Sequence, residues 1–306
     1  MSARILALMW AGLMASSFVA SARITDYASP LVTTGLRFGF ALLLMTPIYC
    51  LTRSRRSLSL RESLYSTSFV LRYLLISGSL VGFFIGLFTA LKTTTSLNTS
   101  VIYTLVPIIG ALFASLFGQA TGLRQWLGYL LGAGGAILVL LFTRDGSIEW
   151  HKGDAIYLVA CCLLAFHVVA VQRWSAKVSA FEGAYLILLF ASASLLPMVL
   201  VFGELSSVQW LNLHFWKLLA YLTVFTTLIT FILQQWVTAR AGAACLLGFS
   251  YTIPVWGAGY FALTYDDFSL LSSGFGLGLL MVILALLMID GRFTRVSRGA
   301  HGPTLS

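Results

Sequence analysis

An arginine at position 37 stands in the apolar run LVTTGLRFGFALLLM, and a histidine at 167 stands in VACCLLAFHVVAVQ. An ionisable side chain within such a run is expensive in hydrocarbon and marks a working site. Arg37 lies seven residues past Pro30, about 10 Å along a helix that rises 1.5 Å per residue. It can hold a substrate carboxylate or a gating contact. The competing role is to bind backbone carbonyls or a helix end and fix packing. His167 is the titratable residue near mid-span whose ordinary pKa is near neutral, which makes it the default proton carrier. Its competing role is that of a packed histidine with satisfied ring nitrogens. Gln234 and Gln235 are adjacent amides within a third run, and at least one must face the bundle or a cavity. Ser96, Ser100, Tyr103 and Pro107 recur at steps of four, three and four, which is one helix face. Ser250, Tyr251 and Pro254 continue the pattern. Trp10 and Trp256, with Phe84, Phe88, Trp236 and Tyr260, can wall a cavity. Rings with a few amides and hydroxyls describe a pocket for a small amphipathic ligand. Its candidate residues are Trp10, Arg37, Ser100, Tyr103, His167, Gln234, Gln235, Tyr251 and Trp256.

Some chemistry is missing from the chain. No Asp or Glu falls at the middle of an apolar run. Exchange of an organic cation for a proton on a buried carboxylate is therefore disfavoured, and neutral, zwitterionic or amphipathic ligands fit better. No GxxxxGK[ST], HExxH, GxSxG or CxxC pattern occurs, so the sequence supplies no nucleotide cradle, catalytic set, cofactor site or metal site. An enzyme is not expected. Cys50, Cys161, Cys162 and Cys245 lie in or at the end of apolar runs and read as small packing residues. The Asn98-Thr99-Ser100 sequon falls at or inside a run and reads as accidental.

The elements that position these residues follow from composition. Of 306 residues, 59% are hydrophobic and 9% charged, against about 25% charged in an ordinary soluble domain. Apolar stretches near 20 residues recur at 5–23, 30–51, 69–91, 96–118, 124–143, 154–172, 182–202, 215–237, 241–263 and 269–289. Each matches a helix crossing hydrocarbon about 30 Å thick. The expected fold is all-α and integral to the membrane, with ten transmembrane helices and the lipid bilayer as partner. The first stretch also has the shape of a cleavable signal peptide, but its removal would leave nine spans. With a cytoplasmic N-terminus, thirteen Lys and Arg fall on the inner side and five on the outer. By the positive-inside rule both termini are cytoplasmic, in a multi-pass cytoplasmic (inner) membrane protein. The Arg cluster at 53–61 is then a topology signal, with anionic headgroups as a secondary ligand, and nucleic acid is not an expected partner.

Two short texts repeat. TLVPIIGA at 104–111 and YTIPVWGA at 251–258 each place a proline three residues before Gly-Ala. Pro254 follows Pro107 by 147 residues, and GYLLG (128–132) matches GFGLG (274–278) after a slip of one. Five spans per copy is an odd number, so the copies enter the membrane from opposite sides, as inverted repeats do in secondary transporters. The first repeat covers 5–143, the second 154–289, and 290–306 is a basic cytoplasmic tail. Proline removes a backbone donor and kinks a helix. Pro107 and Pro254 are thus expected to mark helix breaks at similar depths, facing the interior. GxxxG pairs at Gly35/Gly39, Gly78/Gly82, Gly82/Gly86, Gly128/Gly132 and Gly274/Gly278 permit close helix approach within the chain, or in a homodimer.

The stretch MWAGLMASSFVA…PLVTTGLRFGFALLL resembles the start of the drug/metabolite transporter superfamily, in particular its EamA-type members with ten helices. TALKTTTSLNTSVIYTLVPIIGALFASLFGQ and GDAIYLVACCLLAFHVVAVQRW resemble the family's third-to-fourth helix signature and the start of its second half. Where the family usually has a Gly-Glu step after the proline-bearing helix, this chain has Gly118-Gln119 and Tyr265-Asp266. The resemblance implies export of small metabolites, amino acids or amphipathic drugs through a central cavity lined by both halves. The alternative is a non-transporting sensor or scaffold that keeps the fold.

Overall fold

The computed structural model describes residues 2–52, 66–94, 96–143, 149–175, 178–265 and 273–289. The basic link at 53–65, Arg144, Lys177, Asp266, Asp267 and the tail from 290 lie outside them, as do the side chains of Ser96 and Tyr265. The described chain is a bundle of α1 (Ala3–Ile24), α2 (Pro30–Thr52), α3 (Thr67–Ala90), α4 (Ser96–Tyr103), α5 (Val106–Leu116), α6 (Leu123–Thr143), α7 (Lys152–Trp174), α8 (Ala180–Phe202), α9 (Leu213–Thr223), α10 (Thr230–Phe249), α11 (Ile253–Tyr265) and α12 (Ser273–Ile289). A π-helical segment, Val224–Ile229, joins α9 to α10, and a 3-10 turn, Ser250–Thr252, joins α10 to α11.

Among the described residues, eight stretches are long and apolar enough to cross a membrane. The sequence divides into ten, and the difference lies in the second half. Leu213–Thr264 forms one such stretch of 52 residues, about 78 Å as a straight helix and more than twice the hydrocarbon depth of about 30 Å. It is interrupted at Gly242, whose φ of 84° is left-handed, a region open to glycine at no steric cost. The helix restarts at Ala243, whose N–H donates to Gln172 Oε1 on α7 at 2.6 Å. A side chain from another helix thus satisfies an N–H that the break frees. The described part of α12 is a shorter apolar helix of 17 residues.

Local rules explain the ends. Pro30 opens α2, where its missing N–H costs nothing. Ser179 and Glu182 form a capping box on α8, and His151 and Asp154 form one on α7. Gly118, with φ 79°, ends α5 in a Schellman motif: its N–H reaches Ser115 O at 3.0 Å, and Gln119 N–H reaches Ala114 O at 2.9 Å. The Gly-Gln step thereby caps through backbone, and Gln119 Oε1 accepts Gln172 Nε2–H at 3.4 Å.

The prolines sit where the chain has already turned. Thr104 and Leu105 make i−3 backbone bonds of 3.0 Å to Val101 and Ile102, and Pro107 lies in the first turn of α5. Ser250–Thr252 makes the corresponding turn, and Pro254 lies in the first turn of α11. The expected kink is thus delivered by a short turn, with each proline at a position that needs no N–H.

Helices from early in the chain pack on helices from late in it. α3 lies on α7, and α9–α10 lies on α1; α5 packs on α7, and α11 on α1; α2 meets α8, and α6 meets α12. Glycine brings several of these pairs together. A Cβ at Gly86 would stand 2.7 Å from Ala160 Cβ, and one at Gly35 would stand 2.5 Å from Val199. At the α6–α12 seam a Cβ at Gly135 would lie 2.8 Å from Gly278 O, and one at Gly278 would lie 2.8 Å from Gly135 O. These glycines serve intramolecular contact. Outside the bundle, Leu43, Leu116, Leu127, Val159, Leu200 and Leu263 are exposed, a surface that hydrocarbon solvates and water does not.

The contacts define two faces. On the face away from Ser2 and Ile289, Gln209 N–H and Nε2–H bond Tyr27 O and Asp26 O. Asn98 Nδ2–H there reaches Asp154 Oδ2 at 2.7 Å. This is the distal face. On the face of the described ends, Arg124 Nη2–H donates to Leu287 O at 2.6 Å. This is the terminal face.

Candidate functional site

The buried middle is organised around Arg37, which is only 1% exposed. It lies on α2 and reaches the π-helical segment. Nε–H donates to Thr227 Oγ1, and Nη2–H reaches Thr226 O at 2.5 Å and Thr226 Oγ1 at 3.0 Å. The guanidinium carbon stands 4.7 Å from the centre of the Phe84 ring. The wider π turn shifts backbone bonding from i−4 to i−5, which leaves carbonyl capacity for a donor from another helix. Thr226 and Thr227 each also donate to Leu222 O, so the acceptor side of the cradle is held before Arg37 arrives. Nη1 has no partner, and among the described residues no ion pair includes Arg37. Arg37 is thus a buried cation compensated by hydroxyl and carbonyl dipoles and an aromatic face.

His167 closes a second contact. The Ile76 carbonyl can only accept, so Nδ1 carries the proton and donates to it at 2.8 Å. Nε2 then accepts from Gln234 Nε2–H at 2.8 Å. The neutral ring is satisfied at both nitrogens, whereas a proton on Nε2 would face an amide donor. His167 thereby ties α3, α7 and α10 together. His167→Leu is expected to lower stability by about 1–3 kcal/mol, the cost of a stranded buried donor on Gln234. Adding Gln234→Leu should cost less than the sum of the singles. A double-mutant cycle in thermal unfolding checks this, and additivity within about 0.5 kcal/mol would show no direct contact.

Two cavities open at opposite ends. The distal one, about 460 Å³, is lined by Thr25–Pro30 between α1 and α2, by Phe88, Leu91 and Lys92 at the end of α3, and by Glu204 and Ser207. The terminal one, about 320 Å³, is lined by residues of 171–180 between α7 and α8 and by Gln235, Thr238, Ala239, Arg240 and Gly242 on α10. The distal cavity sits at the α1–α2 link and the end of α3, and the terminal cavity at the α7–α8 link and along α10. One turn inward from Phe88 is Phe84, which carries Arg37. One residue inward from Gln235 is Gln234, which holds His167.

The sequence-named residues separate on this frame. Arg37, His167 and Gln234 make the buried contacts, and Gln235 lines the terminal cavity. Tyr103 is buried with its ring edge-on to Phe18 at 5.4 Å. Trp10 is buried with Nε1 unpartnered, and Ser100 is half-buried. Tyr251 is pinned away from both cavities: its hydroxyl donates to Tyr129 O at 2.8 Å, and its ring covers Gly132. Trp256 is 44% exposed and packs against Gly12. The sequence reading omits Thr226, Thr227, Thr238 and Gln172. Thr223, Thr226, Thr227 and Thr230 at steps of three, one and three were a readable signal of one polar face. The Asn98 sequon is structural: Nδ2 also reaches Glu149 O at 2.5 Å, and Asp154 accepts from Thr94 as well. This cluster pins α4 to the start of α7.

Among curated proteins none matches the chain. Among solved structures, one described as the crystal structure of a protein aligns over 98% of this chain and 99% of its own, with a TM-score of 0.75 at 17% identity. The two share a fold. The all-helical bundle and its apolar spans identify a multi-pass membrane protein, and with the family comparison they support a membrane transporter. Residues 1–141 match the model of the EamA-like transporter family, which together with the shared fold is consistent with the drug/metabolite transporter superfamily.

Proposed function

We propose that this protein is a secondary transporter that exports small metabolites, amino acids or amphipathic drugs across the cytoplasmic membrane by alternating access. The terminal face is cytoplasmic and the distal face external. The two halves, 5–143 and 154–289, act as inverted five-helix repeats. The observation that carries this reading is the pair of cavities on opposite faces. Rocking the halves would deepen one cavity while closing the other, and the packing of α3 on α7 and α10 on α1 supplies two interfaces for that motion. The Arg37 contact to Thr226 and Thr227 closes the distal side, and the His167–Gln234 contact closes the terminal side.

Counterflow in proteoliposomes tests the reading. Vesicles preloaded with an unlabelled substrate should accumulate the labelled form with saturable kinetics for at least one compound of a broad panel of amino acids, organic acids and amphipathic drugs. Absence of saturable flux for every compound would overturn it.

A further inference from the structure

The terminal cavity is lined by two buried polar groups without partners. Gln235 is 4% exposed and its Nε2 has no partner; Thr238 is 3% exposed and its Oγ1 has no partner. Both residues line the cavity. An amide nitrogen can only donate, and leaving buried polar groups unpaired is costly. A ligand with acceptor oxygens would recover that cost. Arg240 adds a positive charge to the same lining, with its guanidinium 4.7 Å over the Trp236 ring. Among the described residues that line it there is no Asp or Glu. The acid next along the chain, Glu182, accepts Ser179 Oγ–H at 2.9 Å and Ser179 N–H at 3.4 Å. Val171 and Val178 supply an apolar wall. The volume of about 320 Å³ is at the small end of ligand pockets, which run from about 300 to 1,000 Å³.

We propose that the terminal cavity binds small aliphatic metabolites through a carboxylate, which accepts from Gln235 Nε2–H and Thr238 Oγ1–H and pairs with Arg240. The inference deepens the transporter reading and rests on it for its physiological direction. A carboxylate offers acceptors to both stranded groups beside the Arg240 charge, whereas an ammonium cannot accept from the Gln235 amide and stands against that charge.

The test uses the full chain in lipid nanodiscs and three probes that share a carbon chain: hexanoate, norleucine and pentylamine. Titration calorimetry should find hexanoate and norleucine bound at least tenfold more tightly than pentylamine. Gln235→Leu with Thr238→Val should abolish the preference. Arg240→Gln, a change at an exposed residue that leaves folding intact, should weaken hexanoate about tenfold and leave pentylamine unchanged, and Arg240→Lys should restore most of the loss. Equal or tighter binding of pentylamine would overturn the proposal. So would carboxylate binding insensitive to both variants. If no probe binds while counterflow shows saturable flux of other compounds, this assignment fails and the transporter reading stands. If there is neither binding nor flux, both fail.

Discussion

Replacing Arg37 by methionine is expected to leave the protein as stable as before, or more so, while transport falls at least tenfold. The guanidinium donates to Thr226 and Thr227 and lies over Phe84. Hydrogen bonds from a charged donor contribute about 1.5–3 kcal/mol each, and a desolvated cation over a ring adds about 2 kcal/mol. Against these stands the burial of an ion with no acid partner among the described residues, at several kcal/mol. Its acceptors do not depend on it. Thr226 and Thr227 keep their bonds to Leu222 O, and Thr226 O keeps Thr230 Oγ1–H. Exchange of a buried ion for an apolar side chain of similar size is often neutral or stabilising by about 1–4 kcal/mol. What methionine removes is the polar contact between α2 and the π-helical segment. A latch that favours one state by 1.4 kcal/mol is worth a factor of about ten in population. Thermal unfolding and counterflow on one preparation separate the outcomes. A marked loss of stability with flux intact would make Arg37 a packing residue and no more.

The second large effect is structural. Gly135→Val should prevent the folded bundle from accumulating, and Gly135→Ala should destabilise by about 1–3 kcal/mol or more, the range for overpacking. The Cβ would stand 2.8 Å from Gly278 O, 2.8 Å from Met281 Cβ and 3.0 Å from Val282 N. Two of these are backbone atoms and cannot rotate away. Without a hydrophobic drive between helices in lipid, α6 and α12 are held by this close approach and the dispersion it permits. Gly39 and Gly78 are the controls, since a Cβ there meets nothing within 4 Å. Alanine at either should be neutral or stabilising by about 0.4–1 kcal/mol. Yield of monodisperse protein and thermal unfolding in detergent read all four. A stable Gly135→Val protein would show that the helices do not meet there.

Residue text alone placed the glycine pairs but not their partners. Gly35/Gly39 and Gly128/Gly132 read alike as GxxxG, yet Gly35 meets Val199 while Gly39 meets nothing. Which glycine lies on a seam depends on helix rotation, and in an apolar helix that has no polar face to report it. The same holds for the rings. Trp10 and Trp256 read alike, and the bundle buries one and exposes the other. Tyr251 lies on the polar stripe in the text, but its hydroxyl is claimed by Tyr129 O.

What the sequence determined by itself is the part written in one dimension. Long apolar runs and scarce charge dictate helices in hydrocarbon, because an unpaired backbone there has no other partner. The recurrence of TLVPIIGA as YTIPVWGA located two matching breaks. The arginine deep inside one apolar run and the histidine inside another announced two buried contacts. The partners themselves were decided only in three dimensions. Thr226 and Thr227 serve Arg37 because the π turn presents them, Ile76 and Gln234 complete His167, and Gln172 caps a helix that restarts across the bundle at Ala243. A threonine in a transmembrane helix ordinarily satisfies itself on its own backbone. Whether it also serves a distant cation depends on helix rotation and depth, which are set by packing.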